Sequence, residues 1–357
     1  MSNARTVDRL TPRVVEEADG LGLVLVGAQG VLLVATFASF FVQSAWTMPG
    51  LFAFLAVTGL TWTLRKPLAA RVLTFLMTIS TVLTLGLIAL FLFLESIPAF
   101  ELMGVDILLP LEGDMWNPGS NVFSLVPMIW GTVVTTFVAI LVAAPLGIAG
   151  ALFISEIAPA WVREFVKPGV EILAGIPSIV YGFIGFTIIN PYVSRELSAG
   201  FGALLAIGVV IGLMALPTVV SVAEDALSTV PEAMKSGSLA MGATEWQTMK
   251  HVTVPAAFSG VSAAVLLGIG RAMGETMAAT VMIAHAQELP QPIYDVFDST
   301  ETLTTLIAGN FGPAVGTEFY LSGLFAAGVV LFVIVTGLSI VSQHIERRME
   351  RKLGGKE

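Results

Sequence analysis

Long apolar runs alternate with short polar ones along almost the whole chain. A helix needs about 20 apolar residues to cross the hydrocarbon core of a bilayer. The runs therefore predict spans near 21–45, 48–64, 72–94, 126–155, 170–190, 201–222, 257–284 and 319–343. The fold class that follows is an all-α integral membrane protein with about eight transmembrane helices. The second run is short, but Trp46 and Trp62 stand near its ends, where indole rings favour the membrane interface. Residues 1–20 mix both signs of charge without the apolar stretch of a signal peptide, and read as a cytoplasmic arm.

Lysine and arginine are retained on the cytoplasmic side of a membrane. With eight spans, fifteen of the seventeen Lys and Arg residues fall on one side, so both termini are expected in the cytoplasm. The exceptions are Arg195, in an external loop, and Arg271, inside the seventh run. The two long external segments, 95–125 and 285–318, carry ten acidic residues and no Lys or Arg. They are ill suited to capturing an anion themselves.

Composition sharpens this picture. Only 12% of the residues are charged and 55% are apolar, against about 25% charged in a soluble domain. A net charge of −9 argues against a nucleic-acid partner, which needs clustered cations. The absence of cysteine excludes disulfides, thiolate metal sites and a cysteine nucleophile.

Arg271 and Glu275 lie near the middle of the seventh run. In one helix, Arg271 would sit roughly 20 Å from either end. Arginine there costs about 2.5–3.5 kcal/mol on insertion scales, so buried ions of this kind usually mark a path for substrate. Four residues apart on a helix, the two could also pair with each other, although Arg before Glu is the less favourable order. The guanidinium fork suits a tetrahedral oxyanion. A neighbouring carboxylate repels a fully deprotonated anion but can accept the proton of hydrogen phosphate. Gly268, Gly270 and Gly274 nearby read as small residues that let helices approach, and Pro145, Pro177 and Pro217 interrupt other spans.

Between spans six and seven, the cytoplasmic segment from Glu224 to Pro255 predicts two short helices. The first runs to Met241, Gly242 supplies a left-handed turn, and Thr244 caps the second. Met234, Leu239, Met241, Trp246 and Met249 are too apolar for a bare loop, so transmembrane helices or a partner should cover them. His251 and His344 fall on one side of the membrane and His285 on the other, which excludes a shared metal site and leaves each as a solvated or interfacial residue. No G-x-x-x-x-G-K-[ST] phosphate loop occurs. Ser178 has no histidine within plausible reach, so a hydrolase lacks its base.

The spacing of Gly242 and Val254-Pro255, with ATEWQT between them, resembles the EAA coupling loop of ABC-importer permeases. The segments AGIPSIVYG, from Ala174 to Gly182, and GIGRAMGETMA, from Gly268 to Ala278, resemble phosphate-specific members of the PstC type. The resemblance covers Ala70 to the C-terminus. It implies a type I ABC importer permease with a six-helix core at 70–343, a coupling loop at 224–255, a two-span extension at 21–69 and a basic tail at 344–357. It also implies a substrate path through Arg271, Glu275, Thr276 and Ser178. The ATPase would be met by Ser236, Gly237, Ala240, Gly242, Ala243 and Pro255. The expected partners are a PstA-like sister permease, two PstB-like ATPase subunits holding ATP and magnesium, and a PstS-like extracytoplasmic binding protein. The chain itself would bind no cofactor and catalyse nothing. Where the loop motif carries Glu-Ala-Ala, this chain has Ser236-Gly237-Ser238, so the acid's contact is either weakened or supplied by a neighbour such as Glu232 or Lys235. The competing reading is an ion-coupled anion carrier in which Glu275 titrates and no ATPase is needed. Its weakness is the lack of internal repeats.

Overall fold

The structure is a computed structural model that describes residues 20–111 and 113–353. The arm expected at 1–20 lies outside the described residues except for Gly20, as do residues 354–357 of the tail. Contacts divide the chain into two units, 1–91 and 92–357.

In the N-terminal unit, α1 (Gly20–Phe41) and α2 (Thr47–Leu64) pack as a hairpin, followed by the first part of α3 (Lys66–Met103). Gln29 of α1 is fully buried, and its amide donates to Thr58 and Thr61 of α2, each at 3.3 Å. Between helices bathed in lipid, where apolar burial gives no preference for one neighbour over another, such polar links select the pairing. Many Leu, Val and Phe side chains of this unit are exposed.

The C-terminal unit begins with the end of α3 and a two-stranded antiparallel ribbon, β1 (Trp116–Asn117) and β2 (Val122–Phe123). Its centre is the pairing of α4 (Val126–Leu152), which ends in a π-turn over Phe153–Ile157, with α8 (Leu204–Ser228). Between them come α5 (Ala160–Gly175), α6 (Ser178–Ile184) and α7 (Asn190–Glu196). The short helices α9 (Glu232–Ala240), α10 (Glu245–Thr248) and α11 (Val254–Ala256) follow α8. The chain then forms α12 (Phe258–Met273), α13 (Met277–Met282), α14 (Leu303–Ala314) and α15 (Glu318–Leu353). One apolar cluster of Ala143, Ala215, Val219, Leu227, Val261 and Ala264 joins α4, α8 and α12. A second joins Phe123, Met128, Leu303 and Leu324 near the start of α4.

Among the described residues, six helices are long and apolar enough to cross a membrane, or up to eight if each of two bent pairs is one span, which fits the all-α expectation. Two spans are divided, one of them at Pro177, where an interruption was expected, whereas Pro145 and Pro217 stand inside the continuous helices α4 and α8. The run 170–190 is cut at Pro177, where α5 and the helices after it meet at 87°. Proline lacks an N–H, and Ile176 before it is extended, as the residue before proline prefers. The run 257–284 is broken at 274–276, between α12 and α13.

Candidate functional site

Arg271 occupies the last turn of α12, where a cation complements the negative end of the helix dipole. Its Nη1 donates to Thr218 Oγ1 at 2.9 Å. Thr218 follows Pro217 inside α8. The guanidinium is exposed along a groove of about 580 Å³ whose walls include Thr218, Gly270, Leu338, Ser339 and Gln343. Sequence reasoning missed Thr218 because it stands 53 residues from Arg271. A hydroxyl just after an intramembrane proline was the available signal.

The alternative reading, in which Arg271 pairs with Glu275, does not occur among the described residues. A shared face needs one continuous helix, and α12 stops at Met273 with Gly274 as its cap. Glu275 turns the other way, and its Oε1 accepts the amide of Ala278 at 3.1 Å, holding the first turn of α13. The Glu275 carbonyl accepts from Thr304 Oγ1 of α14 at 2.9 Å. Thr276 donates from Oγ1 to the Gly274 carbonyl at 3.2 Å. Ser178 begins α6, which runs parallel to α13, with Gly182 against Ala278 and Gly185 against Met282. That register puts Ser178 level with the 274–276 break. Glu275, Thr276 and Ser178 thus share one level of the bundle, while Arg271 lies one turn earlier, in the groove.

Gly268 has the packing role its size suggested. A Cβ there would meet Val219 Cγ2 at 2.7 Å, so α12 and α8 touch where only hydrogen fits. Gly270 instead borders the groove, with nothing within 4 Å of a Cβ placed on it.

The loop after α8 folds as its sequence indicates. Gly242 has φ 88° and turns the chain between α9 and α10. Thr244 and Gln247 form a reciprocal capping box at the start of α10. Thr248 Oγ1 donates to Ser238 Oγ at 2.9 Å, closing the two helices into one knob. Ser236, Gly237, Ala240 and Gly242 lie on its exposed surface, with Ala243 and Pro255 half-buried. Of its five large apolar residues only Met249 is covered by the chain; Met234, Leu239, Met241 and Trp246 are exposed, Met241 at 89%. Beside the knob, Lys167 of α5 bonds Glu224 of α8 at 2.7 Å.

At the opposite end of the bundle, His285 is not simply solvated. Its Nδ1 lies 2.6 Å from Oε1 of the fully buried Glu301. Burial pushes the Glu301 carboxyl above the ordinary carboxylate range, and the hydrogen bond from His285 opposes that rise. Among the described residues, no three His, Asp or Glu side chains gather to hold a metal ion.

Residues 143–351 match the family described as "Binding-protein-dependent transport system inner membrane component". A probable ABC transporter permease protein, YqgH, from Bacillus subtilis is 40% identical over 73% of this chain and 84% of its own length. The phosphate transport system permease protein PstC of Mesorhizobium japonicum is 33% identical over 76% of this chain and 86% of its own. Among solved structures, a chain of the inward-facing MetNI methionine ABC transporter covers 63% of this chain and 95% of its own at 20% identity, with a TM-score of 0.51. A chain of a bacterial alginate ABC transporter covers 80% and 98% at 16% identity, with a TM-score of 0.53. Both likenesses concern the fold.

Proposed function

Because this chain belongs to the family of binding-protein-dependent transport system inner membrane components, and is a multi-pass ABC-importer permease subunit, we propose that it is the PstC-type half of a phosphate importer. Phosphate is the substrate named for the Mesorhizobium relative, and the chemistry of the groove supports it. The observation that carries this reading is the Arg271 guanidinium, held by one hydrogen bond to Thr218 with the rest of its fork turned to the groove. A guanidinium gives two parallel hydrogen bonds to a tetrahedral oxyanion. Glu275, at the break and outside the groove lining, offers a carboxylate to which hydrogen phosphate can donate its proton further along the path. Thr276 and Ser178 add hydroxyls at the level of the break. The gradient-driven carrier draws no support from the relatives, which are named as ABC or phosphate transport permeases.

In this reading the knob end faces the cytoplasm, together with both termini and most of the basic residues, in a cell membrane. The apolar residues Met234, Leu239, Met241 and Trp246 dock into the ATPase, with Ser236, Gly237, Ala240, Gly242, Ala243 and Pro255 shaping the contact. Two PstB-like ATPases hold ATP and magnesium, a PstA-like sister completes the path, and a PstS-like protein delivers phosphate. This chain binds no cofactor and contributes no catalysis of its own. Residues 70–343 form the permease core with its coupling loop at 224–255, and 21–69 are an added hairpin.

The test is ATP-dependent phosphate uptake by vesicles containing this chain and its co-purifying subunits, with wild type compared with Arg271→Ala. Loss of uptake with ATPase assembly intact supports the reading. Full uptake without Arg271 would remove it from the path, and uptake that needs no ATPase would overturn the importer.

A further inference from the structure

Lys235 immediately precedes Ser236, the position where the related loop motif has its acid. Its side chain turns inward, away from the exposed face of α9. Nζ lies 2.7 Å from Oε1 of Glu156, and the two side chains are only 14% and 12% exposed. Glu156 belongs to the π-turn Phe153–Ile157 that closes α4. Its Oε1 also accepts from Ser155 Oγ at 2.8 Å, and Arg163 Nη2 holds the Ser155 carbonyl at 2.8 Å. These groups line a polar chamber of about 540 Å³ between the knob, the end of α4 and the end of α8. Two nearly buried ions joined across separate helices are weak as a source of stability, but they fix the position of one helix relative to the other.

The far end of α4 is also bonded. Thr132 Oγ1 accepts the Leu303 amide at 2.9 Å at the start of α14. Gly131 lies so close to the Glu301 carbonyl that a Cβ there has no room. One residue past Leu303, Thr304 holds the Glu275 carbonyl. A single helix is therefore attached at one end to the knob and at the other to the segment that positions Glu275. Along its length it packs closely on α8, with Gly147 against Val219 and Gly212 against Ala139.

We propose that the Lys235–Glu156 ion pair is the strut that passes movement of the docking knob to α4, and through α4 to the 301–304 segment and Glu275. The proposal rests on the permease reading. Lys235 and Glu156 are positioning residues: they touch neither substrate nor nucleotide.

The experiment uses the assembled complex in vesicles with its binding protein. K235M, E156Q, K235R and the exchanged pair E156K/K235E are compared for assembly, basal ATP hydrolysis, hydrolysis stimulated by loaded binding protein, and phosphate uptake per ATP. Either neutral variant is expected to assemble and hydrolyse ATP at the basal rate, while stimulation and uptake per ATP fall about tenfold, within the usual span of coupling between sites. K235R and the exchanged pair are expected to restore most of the loss. Unchanged coupling in both neutral variants, or an exchanged pair that assembles but couples no better than they do, would overturn the strut. If the neutral variants do not assemble, cysteines placed at 156 and 235 of this cysteine-free chain can be joined by a short thiol crosslinker. Retained coupling when crosslinked is expected; its loss overturns the proposal. A wild type with stimulated hydrolysis but no phosphate uptake would sink the substrate reading alone, because the stimulation still reports the strut.

Discussion

Arg271 on α12 is fastened to Thr218 on α8 by a 2.9 Å hydrogen bond between two helices that pack side by side in the bundle. The bond fixes the direction of the guanidinium, and a hydroxyl is the smallest side-chain group able to do so. Thr218→Val keeps shape and removes the acceptor. Its uptake is expected to fall about tenfold, comparable with loss of one hydrogen bond to a charged group, while Arg271→Lys, which keeps charge but loses the fork, should fall further. Uptake measured at saturating and limiting binding protein checks both.

The exposed apolar face of the knob gives a separable prediction. Trp246 is 66% exposed and Met241 89%, so Trp246→Ala and Met241→Ala should leave the thermal stability of the chain within about 0.5 kcal/mol, as surface changes do. Co-purification of the ATPase should drop several-fold in each. A pull-down beside a thermal melt reads the two effects independently.

Gly242 turns the chain at φ 88° with nothing within 4 Å of its missing Cβ. Gly242→Ala therefore meets a conformational cost without a clash, about 1–2 kcal/mol for an L-residue held in the left-handed region. The expected result is a frayed knob: faster hydrogen exchange over 232–248, with the exchange of α4 and α8 unchanged.

Glu301 gives one pH dependence in the acid range. Burial raises its pKa above the ordinary value of 4.5, so the folded chain holds this proton over a pH range where the unfolded chain has released it. Stability from this group is full below about 4.5 and is lost as pH rises through the raised value. Glu301→Gln removes the titration and can still hydrogen-bond His285. The variant should show a flatter profile of melting temperature against pH than wild type, with the gap widest on the alkaline side of the window.

Much of this was legible in the chain itself. The apolar runs mark the helices because lipid leaves the backbone few alternatives, and Gly242 and Thr244 announce the knob because their local chemistry needs no distant partner. What could not be read is long-range. The break at 274–276 was hidden because an apolar run looks the same whether its helix is whole or divided, so Arg271 and Glu275 were placed on one helix face. Their actual contacts, Thr218 and the Ala278 amide, depend on how α8, α12 and α13 meet. The bend at Pro177 was signalled by the proline but not its size, which depends on what α5 packs against. Lys235 and Glu156 lie 79 residues apart, and nothing local ties them.

The helix α3 runs unbroken over 38 residues. At 1.5 Å per residue it is about 57 Å long, and the hydrocarbon core it crosses is about 30 Å thick. Even at a tilt of about 40°, the steep end of the usual range, about a third of its length stands in headgroups or water. Its Lys66 and Arg71 lie toward one end and Glu95 and Glu101 toward the other. With Lys66 and Arg71 at one interface, the surplus carries Glu95 and Glu101 past the other, so neither acid has to enter the hydrocarbon core.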